Sequence, residues 1–137
     1  MSTASKPGEG TGAWPNGVSA ITLFVEDLDA AKHFYRNIFD LPVIFEDEAS
    51  AVFNFGNTII NLLKETEARG LIEPATVAPC DAGARIQLTL TVEDVDAMCE
   101  MLIARGVEFL NGPMDRPWGI RTASFRDPGG HIWEIAH

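Results

Sequence analysis

Ala20–Ala30, AITLFVEDLDA, and Gln87–Ala97, QLTLTVEDVDA, superimpose at a shift of 87 − 20 = 67 residues. Seven of the eleven positions are then identical: Thr22/Thr89, Leu23/Leu90, Val25/Val92, Glu26/Glu93, Asp27/Asp94, Asp29/Asp96 and Ala30/Ala97. Two copies of one supersecondary unit follow, and not a solenoid, which needs more repeats to bury a core. Each copy begins with alternating residues, a strand signal, and then changes to helical spacing.

In the first copy Asp27 reads as an N-cap, with Leu28, Ala31, Phe34, Tyr35 and Ile38 on one helical stripe and Leu41-Pro42 as the stop. In the second, Asp94 caps a helix carrying Val95, Met98, Met101 and Leu102, and Gly106 supplies the left-handed residue that ends it. Short β segments come next, at 42–48, 51–55 and 58–63 in the first copy and at 107–110, 120–125 and 131–136 in the second. Gly56-Asn57 and Asp127-Pro128-Gly129-Gly130 read as turns between them. The unit is therefore βαβββ, twice, which defines an α+β fold: two tandem modules forming a cupped mixed sheet with helices on the outer face. Module one covers 18–63, a Pro- and Gly-containing linker 64–84, and module two 85–137, within a single domain of 18–137. Residues 1–17 read as a flexible tail, with Trp14 as the one residue there able to dock.

The chain has 137 residues, ten Lys+Arg and twenty Asp+Glu, a net charge of −10 that repels phosphate backbones and anionic lipid. Nucleic-acid and membrane partners are not expected. The start carries no apolar signal core, and two cysteines, Cys80 and Cys99, do not make a secreted disulfide framework, so a cytoplasmic location is expected. Cys99, set among Met98, Met101 and Leu102, reads as a buried thiol. There is no phosphate-binding Gly-rich loop, no paired-Cys metal knuckle and no nucleophile elbow.

Three stretches, Ile21–Val43, Leu88–Ala97 and Pro117–Ile135 (PWGIRTASFRDPGGHIWEI), resemble the vicinal oxygen chelate superfamily, which includes glyoxalase I, extradiol dioxygenases and bleomycin resistance proteins. The resemblance runs from about Val18 to His137. Asp40 stands where such sequences usually have Gly, and Asp tolerates the left-handed conformation required there. The resemblance implies four convergent metal-ligand positions, which here hold Ala20, Asn61, Gln87 and Glu134. Alanine has no donor atom, and first-row metals doing Lewis-acid chemistry want His nitrogen or carboxylate oxygen. One carboxylate and two amides therefore point to no metal and no cofactor. None of the three histidines compensates, since His131 is three residues from Glu134 and falls on the opposite strand face.

The strand period places Ile21, Leu23, Val25, Ile60, Leu62, Leu88, Leu90, Val92, Trp133 and Ile135 toward the helices. The opposite face receives Thr22, Phe24, Asn61, Gln87, Thr89 and Glu134, a mixture of a few polar groups with apolar residues that suits a small-molecule pocket. Phe24 either packs or stacks on a ligand. Trp118 is either a stacking platform for a planar or cationic ligand or a hydrophobic plug at a strand end. Arg121 either neutralises Glu134 or Asp127 or holds an anionic substrate, and Asp127 itself reads as a turn residue accepting backbone N–H bonds. The resemblance implies a metal-free small-molecule binding protein of the bleomycin resistance type, as a homodimer, whose acidity suits a cationic ligand. The alternative is a glyoxalase-like lyase or isomerase with Glu134 as general base.

Overall fold

In the computed structural model the residues described are Pro15 and 17–137. The expected tail at 1–17, apart from Pro15 and Gly17, and with it Trp14, lies outside the described residues. Module one is β1 (Ala20–Val25), α1 (Leu28–Asn37), β2 (Val43–Glu46), β3 (Ser50–Asn54) and β4 (Ile59–Lys64). A short helix, α2 (Glu65–Ile72), follows, and then module two: β5 (Gln87–Thr91), α3 (Val95–Ala104), β6 (Phe109–Asp115), β7 (Arg121–Arg126) and β8 (Ile132–Ala136).

The α+β layout of two tandem βαβββ modules is present as two four-stranded mixed sheets, ordered β1-β4-β3-β2 and β5-β8-β7-β6. In each sheet the first and last strands of the module pair in parallel and the remaining pairs are antiparallel. Identical orders follow from identical sequence logic. Asp27 and Asp94 cap the two helices as their sequences demand, accepting from Ala30 N and Ala97 N at 3.0 Å. Asp40 takes φ 56°, the left-handed conformation its position requires.

Strand alternation then sorts the residues. Leu23, Val25, Ile60, Leu62, Trp133 and Ile135 are all buried in one core that spans both modules. Helix α1 serves both of them. Phe34 and Phe39 lie against Phe125, and Tyr35 meets Trp133 edge-on, while Phe55 stacks on Trp133 at 5.4 Å. Between these rings runs a buried polar chain: Trp133 Nε1 donates to Tyr35 Oη at 3.0 Å, and Tyr35 Oη donates to Asp127 Oδ2 at 2.6 Å. Arg105, at the end of α3, donates to the Ile38 carbonyl at the end of α1, at 2.7 Å. The helix-side faces are thus shared; on the opposite faces residues 76–86 cover part of β1, and Gln87 and Thr89 on β5 are exposed.

Two elements depart from the sequence expectation. The stretch read wholly as linker contains α2, which buries only Ala68 and closes with the Arg69–Glu65 pair at 2.9 Å. Strand β6 runs past Gly112-Pro113 to Asp115, where breaker residues suggested an end at 110. Register shifts at Phe109/Asn111 and Asn111/Met114 absorb those residues as bulges, so the strand continues. No described helix is long and apolar enough to cross a membrane.

Candidate functional site: the open face of the second sheet

On β5, β8 and β7, the residues that alternate with the core line one face. Register pairs Thr89 with Glu134 and Glu134 with Ser124, and β6 brings Asn111 opposite Ser124. Thr89 Oγ1 donates to Glu134 Oε1 at 3.0 Å, which fixes the orientation of the carboxylate. Gln87 is on the same face, two residues before Thr89. Ser124 and Thr122 are buried here, and Arg116, in the β6–β7 turn, lies across them. Its Nε donates to Thr122 Oγ1 and its Nη2 to Asn111 Oδ1, both at 2.8 Å. Trp118 projects from the tip of the same turn, 69% exposed. Gly119, with φ 97° and nothing within 4 Å of a Cβ placed on it, serves the turn and not a close backbone approach.

The first sheet holds the other expected residues. Thr22 and Asn61 face one another across β1 and β4, and Asn61 Nδ2 donates to Thr22 Oγ1 at 3.4 Å. Phe24 and Thr22 border a cavity of about 370 Å³ roofed by residues 76–86, which also meets Glu26, Cys80 and His131. Among the described residues no hydrogen bond joins the Thr22–Asn61 pair to the Thr89–Glu134 pair.

Arg121 requires a correction. It alternates onto the helix side of β7, where Nε and Nη2 form a fork on Asp96 of α3, both at 2.9 Å, and Nη1 reaches Asp115 at 3.0 Å. The hydrogen bonds from Asp96 and Asp115 hold the guanidinium above its ordinary range, and the Arg121 bond holds the Asp96 carboxyl below its own. It neutralises neither Glu134 nor Asp127 and has no free fork for a substrate. Its face was undecided because the start of the strand was undecided. Sequence reasoning missed Arg116, Asn111 and Ser124. The available signal was the alternation of Thr122 and Ser124 with Ala123 and Phe125, which sets the hydroxyls on the Glu134 face.

Asp127 is a turn residue, as expected, accepting from Gly129 N at 3.0 Å and His131 N at 2.9 Å. It also takes the Tyr35 phenol and His131 Nδ1, the latter at 2.9 Å, so both of its carboxylate oxygens have partners. Neither thiol is activated. The bond from Cys80 Sγ to Glu26 Oε1, 3.3 Å long, pushes the Cys80 thiol up, and burial does the same for Cys99.

The donor set does not fit a catalytic metal. Of the four positions the resemblance implies, Ala20 offers nothing, Asn61 and Gln87 offer only neutral amide oxygens, and Glu134 alone is anionic. Among the described residues no three His, Cys, Asp or Glu side chains gather in a way that could hold an ion.

A protein of paired βαβββ modules, each with one open sheet face, is the class that the fold and this site define. The chain belongs to the Glyoxalase/Bleomycin resistance protein/Dioxygenase superfamily, which matches residues 17–135. It is similar to the uncharacterized protein YraH of Bacillus subtilis (strain 168), 37% identical over 119 residues, covering 84% of this chain and 93% of that one. It is also similar to the metallothiol transferase FosB of Shouchella clausii, 26% identical over 126 residues, covering 88% and 79% respectively. A solved glyoxalase/bleomycin resistance protein/dioxygenase from Nocardioides shares the fold with a TM-score of 0.82 at 24% identity, over 93% of this chain and 87% of its own.

Proposed function

We propose that this protein binds a small molecule on the open face of the second sheet without a metal, as a sequestering protein of the bleomycin resistance type. The observation that carries this reading is the donor set: a face with one carboxylate, Glu134, held by Thr89, and no second anionic or imidazole group to share an ion with it. A cationic or hydrogen-bond-donating group of the ligand meets Glu134, and Trp118 supplies an exposed aromatic face at the end of the same sheet. Free thiols at Cys80 and Cys99 are in keeping with a cytoplasmic setting.

Calorimetric titration with metal-free bleomycin tests it. Trp118→Ala and Glu134→Gln are each expected to weaken binding roughly tenfold, from loss of a cation–π contact and a charge-assisted hydrogen bond. The Glu134 effect shrinks with added salt if the face is open to water. No binding by the parent protein removes the resistance-type reading, and unimpaired binding by both variants puts the ligand elsewhere.

One observation favours a second reading. A carboxylate oriented by the Thr89 hydroxyl on a sheet face has the placement a general base needs, and Glu134 lies within residues 17–135, which match the family. Glyoxalase-like lyase or isomerase chemistry would then use Glu134 to remove a proton from a carbon acid. Turnover abolished in Glu134→Gln with folding intact would establish it.

We also propose a homodimer. Ile44 and Phe45 on strand β2 are 53% and 55% exposed, an apolar edge that a second copy covers. Light scattering at micromolar concentration should return about twice 14.9 kDa. A mass of one chain that persists at high concentration contradicts this.

A further inference from the structure

We propose that Arg116 and Ser124 form an oxyanion subsite on the Glu134 face, so that the molecule taken there is a compact one with a carboxylate or phosphate at one end and an ammonium at the other. This rests on the reading that the face binds a small molecule at Glu134, and it narrows the ligand class to a compact zwitterion, for which bleomycin is only a cationic probe of the same face.

The first argument is the company Arg116 keeps. Some cations of this acidic chain are paired with carboxylates, Arg121 with Asp96 and Asp115, Lys32 and Arg36 with Glu46, and Arg69 with Glu65, while Arg105 donates to the neutral Ile38 carbonyl. Arg116 is partly buried and bonded instead to two neutral oxygens, on Thr122 and Asn111. Those bonds occupy Nε and one edge of Nη2 and fix the plane of the guanidinium, while among the described residues Nη1 has no hydrogen-bond partner. A guanidinium held rigid by neutral acceptors keeps its whole charge for an incoming oxyanion, which it can meet with two parallel bonds.

The second argument is independent of the first. Ser124 is 6% exposed, and among the described residues its hydroxyl has no hydrogen-bond partner. Its neighbours Ala123 and Phe125 lie in the core, so alternation turns the hydroxyl to the open face. A buried hydroxyl left without a partner is uncommon and marks a place where a ligand or water completes the bonding.

The third is the spacing of charge. Ser124 stands directly opposite Glu134 on one side and Asn111 on the other, so Arg116, bound to Asn111 and Thr122, lies beyond Ser124 as seen from Glu134. Opposite charges on one sheet face form no ion pair here; each is retained by its own neutral partner, Thr89 or the Thr122–Asn111 pair. At about 4.8 Å per strand, the gap between them is on the order of 5–10 Å, the length of a molecule with only a few atoms between its charges. The oxyanion takes the Arg116 fork and the Ser124 hydroxyl, and the ammonium takes Glu134.

The test is calorimetric titration of the full chain with phosphoethanolamine, inorganic phosphate and ethanolamine, and with β-alanine and acetate as the carboxylate counterparts. Phosphoethanolamine or β-alanine should bind at least tenfold tighter than its separate halves, and whichever of the two is tighter assigns phosphate or carboxylate as the anionic end. Arg116→Gln should weaken phosphate or acetate at least tenfold and leave ethanolamine unaffected, with Arg116→Lys recovering only part because an ammonium lacks the fork. Ser124→Ala, which leaves the fold's hydrogen bonds in place, should weaken the anion about threefold. Ethanolamine binding that depends on Glu134, with no binding of phosphate or acetate at all, overturns the oxyanion subsite and leaves the proposed function standing. Anion binding that depends on Arg116, with no dependence of any probe on Glu134, upholds the subsite and removes Glu134 from the reading. Anion affinity unchanged in Arg116→Gln overturns the subsite.

Discussion

Tyr35→Phe is expected to lower the stability of the chain by roughly 3 kcal/mol, far more than the loss of one oxygen from a surface would. The Tyr35 ring is fully buried, and its hydroxyl is the middle member of a chain from Trp133 Nε1 to Asp127 Oδ2. Burial first, and the adjacent Asp127 charge second, push the phenol far above its usual range, in keeping with its role as a donor to Asp127. Phenylalanine fills the same space but leaves an indole N–H without an acceptor and takes from the buried Asp127 one of its donors, Gly129 N, His131 N and His131 Nδ1 remaining. The orphaned indole N–H costs about 1–3 kcal/mol, and the lost hydrogen bond to the Asp127 carboxylate about 1.5–3 kcal/mol at most. Because Tyr35 belongs to module one and its partners to module two, the loss also loosens the contact between modules. Urea unfolding measures it; a change under about 1 kcal/mol would mean that water satisfies both partners and that the chain does not couple the modules.

Gly112→Ala is expected to cost about 3 kcal/mol or more, and to reach the site as well as the fold. Gly112 has φ 87°, and a Cβ there would lie 2.5 Å from the Thr122 carbonyl oxygen and 2.7 Å from Ala123 Cα. A left-handed residue with a side chain pays about 1–2 kcal/mol, and backbone that must shift to admit a methyl group about 1–3 more. The displaced strand carries Asn111, which holds Arg116, so the guanidinium loses an anchor. Gly56→Ala is the control. Its φ is 103°, but nothing stands within 4 Å of the added atom, so only the conformational cost applies. Equal losses for the two variants in urea would contradict the close approach of β6 to β7.

Much of this molecule is legible in its sequence because it says the same thing twice. The strand–Asp–helix pattern of 20–30 recurs at 87–97, and both Asp27 and Asp94 became the caps that their positions require. Period-two alternation assigned the core face correctly from Leu23 to Ile135, since a slip of one residue would expose every apolar side chain. Glu134 and Thr89 were placed on one face by the same rule, and their hydrogen bond joins them. Alternation fails where a strand's end is uncertain or its register is broken. Arg121 stands at the first position of β7, and its partner Asp96 lies 25 residues away on α3, a contact set by packing. Arg116 depends on two bulges in β6 that bring Asn111 under it, and Gly112-Pro113 in the sequence signals only a break. Helix α2 was hidden by the prolines and glycine that follow it and by an apolar stripe reduced to Ala68. Tyr35 was readable as a helix-stripe residue, but not as a donor to a residue 92 positions later.

The claim that the Glu134 face works without a metal is tested most directly by elemental analysis of the protein purified without chelators. The donor set of Ala20, Asn61, Gln87 and Glu134 predicts no stoichiometric transition metal. About one Zn, Ni, Fe or Mn per chain, lost in Glu134→Gln, would contradict it.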